Sequence, residues 1–361
     1  MTPRYGTLSI LDTLATYNNS NVLAFGEETL AGYLRLILEA HTAFISELLG
    51  EFVGTPPDRE TTYGTNTTNG DMVEVDEFGL ADAQKTPFAP SSVGFPLRNF
   101  QYTLQWTRDY LVTTSPLEVA NQVLGAMVAD EQNFYRALRR ALFRATNQTT
   151  YVDRFVDQKN FTIRALVNAD SQAIPPQPVT AATFDGSTHT HYLATASFIE
   201  ANLVALTETV REHGLNGGSI RVYINAAQEA TVRGFSGFNP YTDSRIVYGV
   251  NANRAEQETS QTNLEDRAIG FHGPAEVWVK PWVPASYLLA AVIGGAGNPV
   301  IGWRKPAGQM AQFADLRIAA ELDRFPLHAQ VMQRRFGFGV WNRIGAAVLY
   351  TGGGSYVTPV F

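Results

Sequence analysis

Two histidines two residues apart, His189 and His191, are the first residues whose type and spacing suggest chemistry. On a strand they would share one face, where two imidazoles could ligate a metal ion. No third ligand is visible in the sequence, so the pair reads as a loop or helix-start feature. Gly234-Phe235-Ser236-Gly237 falls short of a nucleophile elbow, which needs one more residue between its serine and second glycine. The glycine-rich run Gly294, Gly295, Ala296, Gly297 follows an apolar stretch. It has neither the lysine of a phosphate loop nor a dinucleotide spacing, and it reads as a turn. Asp130 and Glu131 lie near Arg136 and Arg139 and read as surface ion pairs of a helix. Arg136, Arg139, Arg140 and Arg144 crowd the C-terminal half of that helix. They complement its macrodipole, and they could equally meet carboxylates of a neighbouring molecule or phosphates. Asn-x-Thr sequons at Asn66, Asn147 and Asn160 need no explanation in a chain rich in Asn and Thr. These sets yield no catalytic residue, no metal site and no cofactor.

The bulk composition narrows the function classes. The 361 residues can hold two or three compact units, and 45% apolar against 17% charged residues marks a globular chain. The absence of cysteine excludes disulfides, thiol catalysis and thiolate metal sites. No run of 18 apolar residues predicts a membrane span, and no basic-then-apolar start predicts a signal peptide. A net charge of −7 argues against a dedicated nucleic-acid binder. Arginine outnumbers lysine 23 to 4. Arginine is the better fork for carboxylates at interfaces, although a GC-rich genome gives the same ratio.

The elements that would position these residues are unusually long. Residues 99–112 alternate, with Phe100, Tyr102, Leu104, Trp106, Tyr110 and Val112 on one face, which predicts a strand of about 43 Å. Ser115 as N-cap, Pro116 at the first helical position and Glu118 closing a capping box predict a helix to about residue 144, roughly 45 Å long. Residues 1–25 read as an irregular arm and 27–49 as a helix. Residues 54–98 form a breaker-rich excursion, with a short strand at 72–76 and with 99–112 as its returning limb. Strand is predicted over 150–168, 220–224 and 275–282, helix over 192–213, 226–234 and 326–337, and loop over 235–268. Residues 287–295 are an apolar run too short for a membrane, and 344–350 with 355–360 read as a closing hairpin. The mixed order predicts an α+β fold.

Three segments, Ser219–Gly234 (SIRVYINAAQEATVRG), Ile269–Gly295 (IGFHGPAEVWVKPWVPASYLLAAVIGG) and Gln333–Leu349 (QRRFGFGVWNRIGAAVL), carry a likeness in order and spacing. With the long hairpin and long helix before them, the chain resembles the major capsid protein of tailed bacteriophages, the Hong Kong 97-type fold. The resemblance implies an N-terminal arm at 1–54 and an extended loop at 55–112. It implies a peripheral domain at 113–189 and 306–361 with a spine helix at 115–144, and an axial domain at 190–305. It implies a structural protein rather than an enzyme, forming hexamers and pentamers of an icosahedral shell around double-stranded DNA held without sequence-specific contacts. Portal and a separate scaffolding or decoration protein would be further partners. The place would be the virion, after assembly in the host cytoplasm and without a membrane.

On this reading Phe100, Tyr102, Leu104 and Trp106 press on a neighbouring subunit, with roughly 6–10 kcal/mol of gross burial. Arg136, Arg139, Arg140, Arg144, Arg334 and Arg335 form further intersubunit contacts, and Ser115 and Glu118 form the hinge of the extended loop. Some members cross-link through a loop lysine, an asparagine and a glutamate. Lys85 could be such a lysine, but 326–338 holds neither Asn nor Glu, while Glu321 and Asn342 lie just outside, so a shell without cross-links is expected. An encapsulin-type compartment shell protein and a soluble α+β enzyme with an unread site are the alternatives.

Overall fold

A computed structural model describes residues 7–17, 20–47, 52–66, 72–77, 79, 88–214, 217–241, 266–324 and 326–361. Helices α1 (Thr7–Thr16), α2 (Val22–Phe25) and α3 (Glu27–Glu47) open the chain. Strands β1 (Val53–Gly54), β2 (Glu60–Asn66), β3 (Phe88–Gly94) and β4 (Arg98–Thr107) precede helices α4 (Arg108–Thr113) and α5 (Pro116–Phe143). Strands β5 (Gln148–Val152), β6 (Asn160–Ile163) and β7 (Tyr192–Ala194) lead to α6 (Glu200–Arg211), β8 (Ser219–Ile224) and α7 (Ala226–Arg233). Then come β9 (Phe238–Pro240), β10 (Arg267–His272), β11 (Ala275–Val279), β12 (Tyr287–Ile293) and β13 (Ile301–Arg304). A 3-10 turn at Gly308–Ala314, β14 (Arg317–Arg324), β15 (Leu327–Val340) and β16 (Ala346–Tyr350) close the chain.

The strands form two main sheets. The first runs β1-β13-β15-β14, with β4 also paired to β15; the second runs β7-β16-β12-β8-β11-β10-β9. Central strands of the second sheet are buried on both faces, which is why YLLAAVI is continuously apolar. Their alternate residues feed two cores. Leu288, Ala290, Val222 and Ile224 face Leu203, Leu206 and Val210 of α6, while Leu289, Ala291 and Tyr223 face a core shared with α5 and β15.

The long helix forms as its sequence signals require. Ser115 accepts from the Glu118 backbone N–H at 3.3 Å, the Thr114 hydroxyl donates to the Glu118 carboxylate at 2.7 Å, and Pro116 starts the first turn. Its buried stripe passes through two cores in turn. Val119, Ala120, Val123 and Ala126 pack with α1 and α3 around Leu14, Leu34 and Ile37; Phe134, Leu138, Leu142 and Phe143 pack with Trp303, Phe336 and Phe338. Asp130 stands between the two.

Several expectations are corrected. The strand predicted over 99–112 ends at Thr107, because Thr107 caps α4 by accepting from the Tyr110 N–H at 3.1 Å. It is not the returning limb of the excursion either: β2 pairs with β3, from Glu60↔Gly94 to Asn66↔Phe88, whereas β4 pairs with β15 from Thr107↔Leu327 to Arg98↔Phe336. The helix predicted over 326–337 is the strand β15, whose 14 residues make it the longest strand described. Gly337 and Gly339 keep it flat where the chain crosses: a Cβ at Gly337 would stand 2.1 Å from the Pro96 carbonyl oxygen. The arm is helical over α1 and α2 rather than irregular. Residues 72–76 form no strand. The helix predicted from 192 begins at Glu200, since Tyr192–Ala194 pair in parallel with β16. Residues 355–360 form no strand; Tyr356 instead packs on Tyr192, and the Tyr287 hydroxyl donates to the Val357 carbonyl. Strand β16 belongs to the second sheet, so 306–361 does not fall in one unit. Most of the predicted loop 235–268 lies outside the described residues.

Asp130 accepts from Arg334 Nη1 at 2.6 Å and from His41 Nε2 at 3.0 Å, with all three side chains buried. Removing one partner of such a cluster leaves an uncompensated charge, which typically costs about 3–5 kcal/mol. Arg334→Ala is therefore expected to destabilise the unassembled subunit by about that amount in denaturant unfolding, and the double variant Asp130→Leu/Arg334→Met by clearly less. A single-variant loss below about 1 kcal/mol would contradict the role given to this cluster.

Candidate functional site

The apolar face of β4 is covered unevenly: Trp106 is buried, Phe100 and Leu104 are half-buried, and Tyr102 is exposed. Trp106 is only 5% exposed, stacks on His328 at 6.1 Å, and donates to Gln122 of α5 at 2.5 Å. Phe100 packs on Phe336, Leu104 joins the core beside α3 and α5, and the Tyr102 hydroxyl approaches Gly125. Helices α3 and α5 and strand β15 of the same chain thus take the burial of Trp106, and part of that of Phe100 and Leu104, which the sequence assigned to a neighbour. Arg334 is also internal: it is fully buried on Asp130, and its guanidinium lies against the rings of Phe134 and Phe336. Trp106 and Arg334 are therefore withdrawn as contact residues. Ser115 and Glu118 start α5 as expected, but α4 separates them from β4, and the hairpin leaves the core elsewhere, so they are not its hinge.

The hairpin leaves at a rigid base. The Phe95 N–H donates to the Arg59 carbonyl at 2.8 Å. Arg304 spans the Phe95 carbonyl at 3.0 Å and the fully buried Asp153 at 2.7 Å. Arg59 holds Asp157 at 2.6 Å. Beyond that base, Met72, Val73 and Val75 are exposed, interleaved with exposed Glu74, Asp76 and Glu77. Lys85 lies outside the described residues.

Four of the other predicted arginines remain together. Arg136, Arg140 and Arg144 line a groove of about 310 Å³, joined by Arg98, Arg164 and Phe100. Arg139 is one turn along, donating to the Tyr135 carbonyl at 3.3 Å. Among the described residues, Arg98, Arg136, Arg140 and Arg144 have no carboxylate partner; Arg144 meets only Thr146 and Gln148. Burial, then the positive charges of Arg98, Arg144 and Arg136, pushes Arg140 below the ordinary arginine value. Burial and Arg136 do the same to Arg139. Such a groove is built for an anion. Arg335 lies apart, its guanidinium over Phe155 and Phe313.

The sequence singled out two other places. Ser236 donates to Glu200 at 2.8 Å, and His272 Nε2 lies 3.0 Å from the other oxygen of that carboxylate. Hydrogen bonds from His272, Ser236 and the Gly237 backbone hold Glu200 at about 2, too weak a base to activate a serine. Gly294, Gly295 and Gly297 take positive φ in a turn after β12. His189 and His191 do have a third histidine beside them, His213, which follows α6. Sequence reasoning missed it because it lies 22 residues beyond His191. Burial pushes His191 and His213 down to about 3. No described helix is long and apolar enough to cross a membrane.

A chain from Mycobacterium phage Patience superimposes on 92% of this one and on 89% of its own length, with a TM-score of 0.68 and 21% identity. The two share one fold. The α+β class is thereby borne out, and the fold is one used by a Mycobacterium phage protein. The capsid of Cyanophage A-1(L) matches at TM-score 0.47 and 12% identity over 86% of this chain and 92% of its own. The SrpI encapsulin of Synechococcus elongatus matches at 0.43 and 12% over 88% and 90%. At those scores neither adds to the first likeness. No protein-family model matches the chain, and no curated protein does.

The groove predicts an unusual stability pattern. Arg140→Gln removes a desolvated charge from a set of like charges, so the unassembled subunit should melt within about 0.5 kcal/mol of wild type or above it. A loss above about 1.5 kcal/mol would show that Arg140 serves the subunit's own fold.

Proposed function

We propose that this chain is the major capsid protein of a tailed bacteriophage, a structural subunit that assembles with copies of itself into an icosahedral shell around double-stranded DNA. The observation that carries this reading is the fold shared with the Mycobacterium phage chain over nine-tenths of both. Two surfaces of the subunit support it. One is the segment Met72–Glu77 on the excursion, apolar and acidic by turns; the other is the arginine groove beside α5. The segment of one subunit lies in the groove of the next, with Glu74 and Glu77 opposite Arg136 and Arg140. Charge complementarity of this kind fixes register and partner choice more than it adds raw affinity.

In this reading the peripheral domain is α5 with the first sheet, including β4. The axial domain is the second sheet with α6 and α7, including β16. The extended loop is β2, β3 and what lies between them. The net charge of −7 suits a wall along which packaged DNA slides rather than sticks. Portal, scaffolding or decoration proteins are its partners, the virion is its place, and it has no catalytic role.

The full chain expressed alone should elute as capsomers or shell-sized particles and show them in negative stain; a clean monomer at high concentration would overturn the assignment. Arg136→Glu/Arg140→Glu and Glu74→Lys/Glu77→Lys should each block assembly while leaving circular dichroism unchanged, and the combined reversal should restore it. Normal shells from either reversal would sink the pairing of segment and groove. Glu321 accepts from Gln330 at 3.2 Å, and Asn342 accepts from the Ile344 N–H. Denaturing gels of mature particles should show monomers, and a covalent ladder would contradict this.

A further inference from the structure

Three imidazole nitrogens meet at one point. His189 Nε2 lies 3.2 Å from His191 Nε2 and 3.0 Å from His213 Nε2, and the last two are 3.0 Å apart. Hydrogen bonds alone cannot satisfy such a triangle. Each nitrogen carries either a proton or a lone pair, so at least one edge must join two protons or two lone pairs. One of the three is assigned by the fold. His191 Nδ1 donates to the Ala346 carbonyl at 2.6 Å, which leaves its Nε2 as a lone pair aimed into the triangle. This is the outer-sphere contact by which a protein orients a metal-binding imidazole. His191 is fully buried and His213 nearly so. His213 Nδ1 is buried without a partner among the described residues, so nothing there dictates a proton on its Nε2.

A single cation satisfies all three edges at once. Nitrogens 3.0–3.2 Å apart leave a point roughly 2 Å from each, just out of their plane, which is the ordinary zinc–imidazole distance. Glu212 Oε1 lies nearby, 3.5 Å from His189 Nε2 and 4.0 Å from His213 Nε2, on a half-exposed side chain that must turn in to reach the cation. The Phe184 ring covers the cluster, its centroid 4.1 Å from that of His213.

We propose that His189, His191, His213 and Glu212 form a tetrahedral site for a divalent transition metal, with zinc the natural occupant. Three imidazoles and a carboxylate are borderline donors that suit zinc over calcium or magnesium. With Glu212 turned in, four protein ligands close the coordination sphere, which makes the site structural. It ties the segment before β7 to the end of α6 and, through Ala346, to β16. The ion therefore fastens the helix layer of the second sheet to two of its strands.

The test uses the untagged full chain. Zinc content is measured as purified, and the chelator-treated protein is titrated with Zn2+ and with Co2+, whose tetrahedral complexes absorb visible light. One equivalent per chain is expected, with the tetrahedral cobalt spectrum and a melting temperature that rises with added zinc. His213→Gln should weaken binding at least tenfold and abolish the melting shift. His189→Gln, at the more exposed position, should do the same with unchanged circular dichroism, which decides the matter if the buried variant fails to fold. Binding well below one equivalent, or stoichiometric binding that survives His189→Gln, would overturn the site. Both readouts apply to the subunit whether or not it assembles.

Discussion

A buried carboxylate at the middle of a 28-residue helix is the constraint on which the rest of the structure depends. Asp130 faces the junction of two apolar cores and holds a cation from β15 and a histidine from α3. Burying such charges is favourable only when each is paired and oriented, so the cluster specifies one docking of three elements and not merely their proximity. With α5 and β15 fixed at that point, β15 has the length to pair with β14 and β4 at one end and with β13 at the other. The long helix and the long strand thereby brace each other across both cores.

That brace explains what is left over for function. The hairpin β2–β3 emerges from a base fixed by Arg59, Arg304 and Asp153, so the excursion projects from a rigid anchor. Beside the second half of α5, arginines are held together although they repel one another. Asp130, Asp153 and Asp170 each hold an arginine, whereas Arg136, Arg140 and Arg144 of the groove meet no carboxylate among the described residues. The proposed function gives that role to a neighbouring subunit's carboxylates.

Much of the scaffold was legible in the sequence because local chemistry decides it. The cap at Ser115, the apolar stripe of α5 and the spacing of α3 all act over one or a few turns. The errors arose where distant partners decide. Read by its near neighbours, Asp130 looked like a surface residue, yet its partner Arg334 lies 204 residues away. Residues 326–337 mix Gln and Arg among apolar residues and suggested a helix. The alternation Phe336, Gly337, Phe338, Gly339, Val340 was the strand signal, and its glycines mark the crossing at Pro96. The alternation marked the apolar face of β4 but not its cover: Trp106 is buried against α5, while Tyr102 stays exposed. His213 reaches His189 and His191 because α6 packs across β16, the strand that pairs with β7.

The most direct test of the account is a near-atomic cryo-electron microscopy map of the particle formed by this chain. The account predicts Met72 and Val75 covered by a neighbouring subunit, with Glu74 or Glu77 within salt-bridge distance of that subunit's Arg136 or Arg140. An assembled shell whose arginine groove faces open solvent, or a chain that yields no particle at all, would contradict it.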